Sequence, residues 1–479
     1  MQDSMAYYQY YLAGQFAGAA PGLEVVNPFD GKVFARAALA GAAEVETAIV
    51  AGKAAEEEMR RLPSYRKYDI LSHVSARLRQ ERERLARVLS LESGKPIRYA
   101  LGEVDRSAQT FLVAAEEAKR LPREGLSLDW TASGEGKEGW VRYFPLGLVA
   151  GIAPFNFPLN LAVHKIAPAL AAGNPIILKP ARSTPLSVLE LAAIIHETDL
   201  PPGALSVLVT GRDAGSLLVT DERIKMVSFT GSPEVGWDIK NRAGRKKVLL
   251  ELGGNAGVVV TPTADLDLAT EKILAGSFAY SGQVCIHVQR IFIHRSLMDS
   301  FAGRFVERVK GLRVGDPLDQ ATEVSVMIDE ANAIRVESWI REAEAAGAKV
   351  LCGGSRTGRM VTPTVITRTQ PWMKVCALEI FGPVVTLEPY DRFGEVIGMV
   401  NDSRYGLQAG IFTNAIDEMN QAFEQLEVGG VMVNDVPTFR VDHMPYGGVK
   451  DSGFGREGVR YSVMEMMEPK LLVRNTGKV

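Results

Sequence analysis

Apolar residues recur every three or four positions from Ala42 to Ala118, with charged residues between them. The segments AEVETAIVAGKAAEEEMRRL and RKYDILSHVSARLRQERERLARVLSLESGK show the pattern most clearly. This spacing matches the period of an α-helix and predicts amphipathic helices with one buried face. The many Arg and Glu residues at positions 77–87 would then lie on the solvated face.

Short apolar runs separated by helix-like segments replace this pattern after residue 146. TPLSVLELAAIIHETDLPPG predicts a helix that is ended by Pro-Pro-Gly. Strands that alternate with helices indicate parallel sheets built from βαβ units, so we predict an α/β fold. The strands predicted before residue 255 are GLVAGIAP, NPIILKP, LSVLVTG, KMVSFTG and KKVLLELGG. A second series, from about 256 to 435, comprises NAGVVVTP, RIFIHRSLMDSFAGRFVERV, AKVLCGG, TPTVI, PVVTLEPY and GGVMVND.

The composition is that of an ordinary globular protein, with 46% hydrophobic and 23% charged residues over 479 positions. A formal net charge of −3 without a long basic tract argues against a nucleic-acid partner. Prolines, asparagines, His164 and Lys165 interrupt the most apolar region, residues 146–178, so we expect no membrane span. The segment MQDSMAYYQYYLAGQF does not resemble a secretory signal. Three cysteines without a CxxC pair fit a reducing compartment, and we predict a cytoplasmic protein.

One glycine-rich segment matches a dinucleotide-binding pattern but lacks its structural context. GEGKEG, residues 134–139, fits G-x-G-x-x-G, which has meaning only between a strand and a helix. Here the flanking segments LDWTASG and WVRYFPLG indicate that the segment is a hairpin turn. We therefore assign it no cofactor role.

Cys285, in YSGQVCIHVQR, is a candidate nucleophile. A reactive cysteine needs a base or a lowered pKa, a site for the oxyanion and a means of regeneration. His287 is two residues away and, if the segment is a strand, would share a face with Cys285. A Cys-His hydrolase dyad is then one alternative, and a structural strand histidine is the other.

Polar residues at the ends of predicted strands are candidates for the remaining roles. Glu251 ends an apolar strand before Leu-Gly-Gly and is either a functional carboxylate or a loop acid. Asn156 either donates to an oxyanion or caps the helix that begins near Pro158. Lys179 lies at a strand end, where α/β sheets bind ligands. Ser232 begins a helix whose N-terminus can hold a phosphate.

Seven motifs in this order resemble those of the NAD(P)-dependent aldehyde dehydrogenases, over essentially the whole chain. They are PFNFP (154–158), LKPA (178–181), FTGS (229–232), ELGG (251–254), GQVC (282–285), EIFGP (379–383) and PYGGVKDSGFGRE (445–457). The resemblance implies an aldehyde dehydrogenase-like α/β fold with a five-stranded Rossmann-like cofactor domain, an α/β catalytic domain and a small β oligomerisation element. It also implies oxidation of an aldehyde to a carboxylic acid with reduction of NAD or NADP.

The same resemblance suggests domain boundaries. Residues 1–122 and 147–252 would form the NAD(P)-binding domain, and residues 253–451 the catalytic domain. Residues 123–146 and 452–479 would form a bridging element that pairs with another subunit. An extended edge strand is a liability unless it is covered, so we expect a homodimer or a homotetramer.

The resemblance also assigns the catalytic roles. Cys285 would attack the aldehyde carbon to form a thiohemiacetal, while Asn156 and the backbone N–H of Cys285 hold the oxyanion. Hydride transfer would leave a thioester, which water activated by Glu251 would hydrolyse. Lys165 and Glu457 match a proton-relay pair of the family, with a structural ion pair as the alternative.

Cofactor binding is carried over in the same way. Lys179 would contact the adenosine ribose, Ser232 the pyrophosphate and Glu379 the nicotinamide ribose, with Phe381 packed beside it. The other positions predicted to line the cofactor site are Ile152, Pro154, Gly211, Phe229 and Leu252.

Arg182 departs from the commonest pattern. Many family members have an acidic residue three positions after the lysine that matches Lys179, and it binds the adenine ribose hydroxyls. An arginine cannot accept those hydroxyls but can pair with a 2′-phosphate. We therefore hypothesise that NADP is accepted, with a solvent-facing Arg182 and NAD as the alternative.

GEVDR (102–106) and VNDVPTFRVDHMPYGG (433–448) resemble the lactaldehyde and non-phosphorylating glyceraldehyde-3-phosphate branch of the family. An arginine that matches Arg106 can face the anionic end of the substrate in that branch. Arg106, Arg440 and His443 are therefore candidates to bind the tail of a small hydroxylated or anionic aldehyde, such as a lactaldehyde, glyceraldehyde or phosphonoaldehyde.

Residues near the nucleophile leave other substrates open. Val284 stands where branch members that bind phosphorylated substrates can carry an arginine, which argues against a phosphorylated substrate. His287 is a further candidate to line the pocket. The aromatic residues Phe155, Tyr446 and Phe439 are compatible with an aromatic or aliphatic aldehyde instead.

Other functions fit the motifs less well. A CoA-acylating dehydrogenase generally lacks the base that matches Glu251. A cysteine hydrolase would leave Lys179, FTGS and EIFGP without a purpose, and a silent binding protein would not need the catalytic set. The six histidines and three cysteines show no metal-ligand spacing, so we predict no metal.

Overall fold

Two β-sheets flanked by helices form most of the molecule, as seen in a computed structural model that describes residues 5–18, 20 and 22–477. Over these residues the α-helices are α1 (Ala42–Arg61), α2 (Ser64–Gln80), α3 (Arg82–Ser93), α4 (Ile97–Ala118), α5 (Pro158–Ala172), α6 (Leu186–His196), α7 (Arg212–Thr220), α8 (Pro233–Arg242), α9 (Leu266–Phe278), α10 (Met298–Lys310), α11 (Glu330–Ala345), α12 (Lys374–Ala377), α13 (Phe393–Asn401), α14 (Ile416–Gln425) and α15 (Val459–Glu465). The β-strands are β1 (Ala6–Tyr8), β2 (Tyr10–Leu12), β3 (Gln15–Ala17), β4 (Leu23–Val26), β5 (Val33–Ala37), β6 (Arg123–Ser127), β7 (Lys137–Pro145), β8 (Val149–Ile152), β9 (Ile176–Lys179), β10 (Leu205–Val207), β11 (Met226–Thr230), β12 (Lys247–Glu251), β13 (Ala256–Val260), β14 (Val288–His294), β15 (Lys349–Cys352), β16 (Arg356–Thr357), β17 (Met360–Val361), β18 (Thr364–Thr367), β19 (Val384–Tyr390), β20 (Tyr405–Gly406), β21 (Gln408–Phe412), β22 (Gly430–Val433), β23 (Val449–Lys450), β24 (Gly453–Phe454) and β25 (Met467–Asn475).

The helical pattern predicted from Ala42 to Ala118 is confirmed by α1, α2, α3 and α4. Each of these helices buries the face that carries its spaced apolar residues. Helix α5 differs, because all of its residues are buried. It packs against α4 and α15, and its many alanines allow that close approach on several sides.

The first sheet has eight strands in the order β24-β12-β11-β8-β9-β10-β2-β3. Its five central strands are the five predicted before residue 255, and they are parallel. The expectation of a five-stranded sheet therefore holds for the parallel part, while antiparallel β24 and β2–β3 extend the two edges. Strands β9 and β10 lie on one side of β8, and the chain then crosses to the other side to form β11 and β12. The strand order therefore reverses at β8, and α/β sheets bind ligands at such a switch point.

The second sheet has seven strands in the order β15-β18-β19-β14-β13-β21-β22, of which only β15 runs antiparallel to its neighbour. Strand β21 was not predicted, because Gln408 and Gly410 interrupt its apolar run. Gln408 is accommodated in the interior because its amide donates to the carbonyl oxygens of Pro437 and Phe439.

A third, antiparallel sheet consists of β6, β7 and β25, and most of β25 is exposed. The hairpin predicted at GEGKEG is confirmed, since β6 and β7 pair; residues 134–136 lie in the connection and residues 137–139 begin β7. Residues 452–479 were predicted to belong to the bridging element. Within that segment, however, β24 pairs with β12 of the first sheet, and α15 packs on α5. The domain boundaries remain a prediction. Among the described residues, no helix combines the length and apolar character that a membrane crossing needs.

Candidate active site

The turn before Cys285 has an uncommon backbone conformation. Tyr280, Ser281 and Gly282 have φ angles of 48°, 56° and 68°, which makes three left-handed residues in a row. A Cβ at Gly282 would collide with the carbonyl oxygen of Gly382, so only glycine fits there. Such strain is held by its surroundings and is typical of functional turns.

The expectation that Cys285 and His287 share a strand face is wrong, because β14 begins at Val288. His287 is buried, and burial lowers its pKa to about 3. The Cys285 sulfur instead lies 3.2 Å from the hydroxyl oxygen of Tyr446. His287 is therefore poorly suited to act as a base for the thiol.

A cavity of about 500 Å³ is lined by Cys285, Asn156 and Glu251 together. Glu251 comes from the carboxyl end of β12 in the first sheet, and Cys285 from the turn before β14 in the second. The Asn156 Nδ2 atom donates to the carbonyl oxygen of Gln283 at 3.0 Å. A side-chain amide has two donors, so one N–H of Asn156 remains for an oxyanion beside the sulfur.

Glu251 is a buried carboxylic acid whose two oxygens make no hydrogen bond to the described residues. Burial raises its pKa well above the usual value, and the charge of Glu457 raises it further. Such an environment tunes a carboxylate toward general-base work near neutral pH.

Lys165 and Glu457 form a fully buried ion pair with an Nζ–Oε1 distance of 3.2 Å. Lys165 also donates to the hydroxyls of Thr230 at 2.8 Å and Ser228 at 3.3 Å. Burial tends to raise the pKa of Glu457, but the charges of Lys165 and Arg440 outweigh this and lower it. The pair therefore holds an ionised carboxylate in the neighbourhood of Glu251.

Several predicted cofactor residues line the same cavity. Ser232 is the N-cap of α8. Glu379 accepts from the backbone N–H of Gly254 at 3.0 Å, and burial raises its pKa to about 8. A Cβ at Gly253 would collide with the Glu379 carboxylate, so glycine keeps this wall open. A nucleotide fits these groups, because a helix N-terminus offers N–H groups to phosphate and a carboxylate accepts ribose hydroxyls. The predicted cofactor residues that line the cavity are Pro154, Ser232, Leu252, Glu379 and Phe381.

The other predicted cofactor residues lie outside the lining of this cavity. Lys179 ends β9, and burial together with the charge of Arg182 lowers its pKa. Arg182 is exposed, and Gly211 is the N-cap of α7. Ile152 ends β8, and Phe229 is buried in β11. These positions lie at or near the carboxyl ends of parallel strands, where a long cofactor can continue past the cavity.

The predicted substrate residues divide into two groups. Phe155 lines the cavity, and Tyr446 touches the Cys285 sulfur. Arg440 is buried with its guanidinium carbon 3.6 Å from the ring centroid of Tyr446. His443 and Phe439 are exposed and do not line the cavity.

Arg106 lies beside Asp442, a carboxylate that was not predicted as a site residue. Its Nη2 and Nε atoms donate to the two oxygens of Asp442, at 2.7 and 3.3 Å. Asp442 also contacts the Nε2 atom of His164 at 2.8 Å. Asp442 lies within VNDVPTFRVDHMPYGG, but only its neighbours Arg440 and His443 were predicted as site residues. The only sequence signal for His164 was its place next to Lys165.

The fold, and a cavity that brings a cysteine, an asparagine amide and a buried carboxylate together, fit an oxidoreductase that binds a nicotinamide nucleotide. The sequence profile of the Aldehyde dehydrogenase family matches residues 17–472, and the chain belongs to that family. It therefore oxidises an aldehyde with NAD or NADP.

Three similar proteins illustrate the range of the family. A 3-sulfolactaldehyde dehydrogenase of Priestia aryabhattai is 42% identical over 469 residues, which cover 98% of each chain. The crystal structure of aldehyde dehydrogenase 21 of Physcomitrella patens, in complex with the reaction product succinate, is 43% identical with a TM-score of 0.98 and 99% coverage of both chains. A glyceraldehyde-3-phosphate dehydrogenase of Methanocaldococcus jannaschii, complexed with NADP, is 38% identical with a TM-score of 0.92, covering 95% of this chain and 99% of that one.

Proposed function

We propose that the chain oxidises a small aldehyde whose far end carries an anionic or hydroxyl group. The carrying observation is the charge balance of the ionic cluster that contains Arg440, whose guanidinium lies on the ring of Tyr446 beside the Cys285 sulfur. Three cations, Lys165, Arg106 and Arg440, meet two carboxylates, Glu457 and Asp442. One positive charge is left over, and an anionic substrate tail would balance it.

Two titratable neighbours leave this balance unchanged in the resting enzyme. Burial raises the pKa of Glu251 well above its usual range, which favours the protonated, uncharged acid in the resting enzyme. Burial and the nearby Arg440 lower the pKa of His164, so the imidazole is neutral. The cluster therefore keeps its excess positive charge until substrate arrives.

The names of the three similar proteins point the same way. Sulfolactaldehyde, succinate and glyceraldehyde 3-phosphate each carry an anionic group. Val284 precedes the nucleophile where a second arginine would favour phosphate, so we propose a carboxylate or sulfonate tail ahead of a phosphate.

The mechanism follows from the placement of the side chains. The Cys285 thiolate attacks the aldehyde carbon, and the free N–H of Asn156 with the backbone N–H of Cys285 stabilises the oxyanion. NAD or NADP, when bound, supplies the acceptor for the hydride of the substrate carbon. Glu251 takes a proton from the water that releases the acid from the sulfur, and the neighbouring Lys165–Glu457 pair passes that proton on.

Competing aldehydes of equal length test the substrate proposal. We expect succinic semialdehyde to exceed butanal by about 100-fold or more in kcat/KM, and glyceraldehyde and lactaldehyde to be turned over as well. A charge-assisted hydrogen bond contributes about 1.5–3 kcal/mol, so Arg106→Met should lose about 10- to 100-fold on the anionic substrate and little on butanal. Arg98→Met, an exposed arginine of the same helix, is the control. A higher kcat/KM of the wild type for butanal, hexanal or benzaldehyde than for succinic semialdehyde would overturn the proposal.

We also propose that Arg182 lets the enzyme accept NADP. Arg182 is exposed at the end of the strand that carries Lys179, and no acidic residue takes its place there. The expected result is a lower NADP-to-NAD ratio of kcat/KM in Arg182→Ala than in the wild type. Arg245 is an exposed arginine that does not line the cavity, so Arg245→Ala is the control and should leave the ratio unchanged. The proposal would be refuted if the NADP-to-NAD ratio of kcat/KM in the wild type is far below one and Arg182→Ala does not change it.

The remaining proposals concern assembly and location. Trp140, Leu471, Leu472 and Val473 of the third sheet are exposed, which supports a homodimer or homotetramer that covers this sheet. Light scattering of wild type and Leu472→Asp would test it, since a wild-type monomer contradicts the proposal. The three cysteines are free, which supports a cytoplasmic location.

A further inference from the structure

The Cys285 sulfur has one hydrogen-bond partner among the described residues, the hydroxyl of Tyr446 at 3.2 Å. Tyr446 is buried and its backbone is fixed on both sides by Glu457. The Tyr446 N–H donates to the carbonyl oxygen of Glu457 at 3.0 Å, and the Glu457 N–H donates to the carbonyl oxygen of Tyr446 at 2.6 Å. The phenol is therefore held against the nucleophile by main-chain bonds, which are independent of any substrate.

Arg440 covers the face of the same ring. Its guanidinium carbon lies 3.6 Å from the ring centroid, and its Nη2 atom contacts Glu457 at 3.3 Å. A cation on a ring face withdraws electron density from the π-system. This makes the Tyr446 hydroxyl a stronger donor toward the sulfur and also places positive charge near a thiolate.

The rest of the pocket opposes formation of a thiolate. Burial raises the pKa of Cys285 to about 11, and the carboxylates of Glu379 and Glu251 act in the same direction. The hydrogen bond of Tyr446 and the charge of Arg440 act against this rise. Burial also raises the pKa of Tyr446 far above neutral, so the phenol stays protonated and able to donate.

We propose that Tyr446, polarised by Arg440, is a catalytic residue that donates a hydrogen bond to the Cys285 thiolate and activates it for attack. The thiol proton leaves to water in the cavity, while Tyr446 keeps its own proton. The sulfur then forms its bond to the aldehyde carbon, and the Tyr446 hydrogen bond weakens as the negative charge moves to the substrate oxygen.

Substrate-free alkylation of the full-length enzyme tests this role apart from the substrate proposal. The rate of Cys285 modification by iodoacetamide is followed against pH by mass spectrometry of the Cys285 peptide. Tyr446→Phe should raise the midpoint by about one pH unit, which corresponds to a tenfold smaller thiolate fraction below the midpoint. The rate falls less than tenfold, because a more basic thiolate is more nucleophilic. Tyr461→Phe removes the same atom from an exposed tyrosine and is the control.

A double-mutant cycle tests the link to Arg440. Arg440→Met should raise the midpoint in the wild-type background and raise it less in Tyr446→Phe, because part of its effect passes through the phenol. Arg440→Lys keeps a charge and checks that the shift does not reflect misfolding; it should give an intermediate midpoint. An unchanged or lower midpoint in Tyr446→Phe, with folding intact, would overturn the proposal and leave Tyr446 as a wall of the substrate pocket.

Discussion

Lys95→Met is expected to destabilise the protein strongly, because Lys95 forms a buried ion pair with Glu103. Both side chains are 0% exposed. The Lys95 ammonium also lies 3.8 Å from the ring centroid of Phe157 and 4.4 Å from that of Tyr280. Methionine has a similar length, so the substitution removes mainly charge and leaves the packing largely intact.

The magnitude follows from the position of Glu103. Its Oε1 atom accepts from the backbone N–H groups of Leu159 and Asn160 at 3.0 and 3.1 Å, which fixes the carboxylate at the start of α5. Removal of one partner from a buried ion pair costs about 3–5 kcal/mol. The lost contacts between the cation and the two rings add to that cost. We therefore expect the free energy of unfolding to fall by at least about 3 kcal/mol.

Denaturant unfolding at one protein concentration measures this loss. Lys53→Met is a matched control, since the Lys53–Glu56 pair is 34% and 18% exposed and should contribute less than about 1 kcal/mol. Lys95→Met/Glu103→Gln removes both charges and keeps an acceptor for α5, so most of the stability should return. The reasoning is refuted if Lys95→Met costs no more than the control, or if the double variant is no more stable than the single one.

Three further outcomes follow from the site. Glu251→Gln cannot accept a proton, so we expect a burst of reduced nicotinamide equal to the enzyme concentration and a kcat lower by about 10²- to 10⁴-fold; full turnover without a burst would contradict this. Burial and Glu457 raise the pKa of Glu251 well above 4.5, so the kcat of the wild type should still increase with pH above 4.5, and a kcat that has already reached its maximum near pH 4.5 would contradict it. Gly282→Ala should abolish activity and thiol alkylation because its Cβ meets the Gly382 carbonyl, whereas Gly303→Ala has open space and should leave both unchanged.

The local sequence pattern was sufficient to predict amphipathic helices and the positions where strands end. The period of apolar residues located α1 to α4, and the strand ends located Lys179 and Glu251 at the ligand-binding edge of the first sheet. The left-handed turn at Tyr280 was not predicted, because the residues around Cys285 were also compatible with a strand that places His287 on the same face as Cys285. Such a turn is stabilised by packing, which a single sequence does not display.

Contacts across the fold were beyond the reach of the sequence. Arg106 meets Asp442 on a segment more than 300 positions later, and His164 meets the same carboxylate from α5. Only the topology that packs α4 and α5 together brings these residues near each other. For the same reason Tyr446 was predicted as a pocket wall, while its contact with the Cys285 sulfur became visible only in three dimensions.

The cavity lies between two sheets, and in the proposed mechanism each sheet supplies a different half of the reaction. Cys285 precedes a strand of the second sheet, whereas Glu251 ends a strand of the first. Capture of the acyl group and its release by water are thus encoded on separate scaffolds, so either can change in evolution while the other is kept. Loss of the single carboxylate at the end of β12 would leave acylation intact and leave the acyl group available to an acceptor other than water.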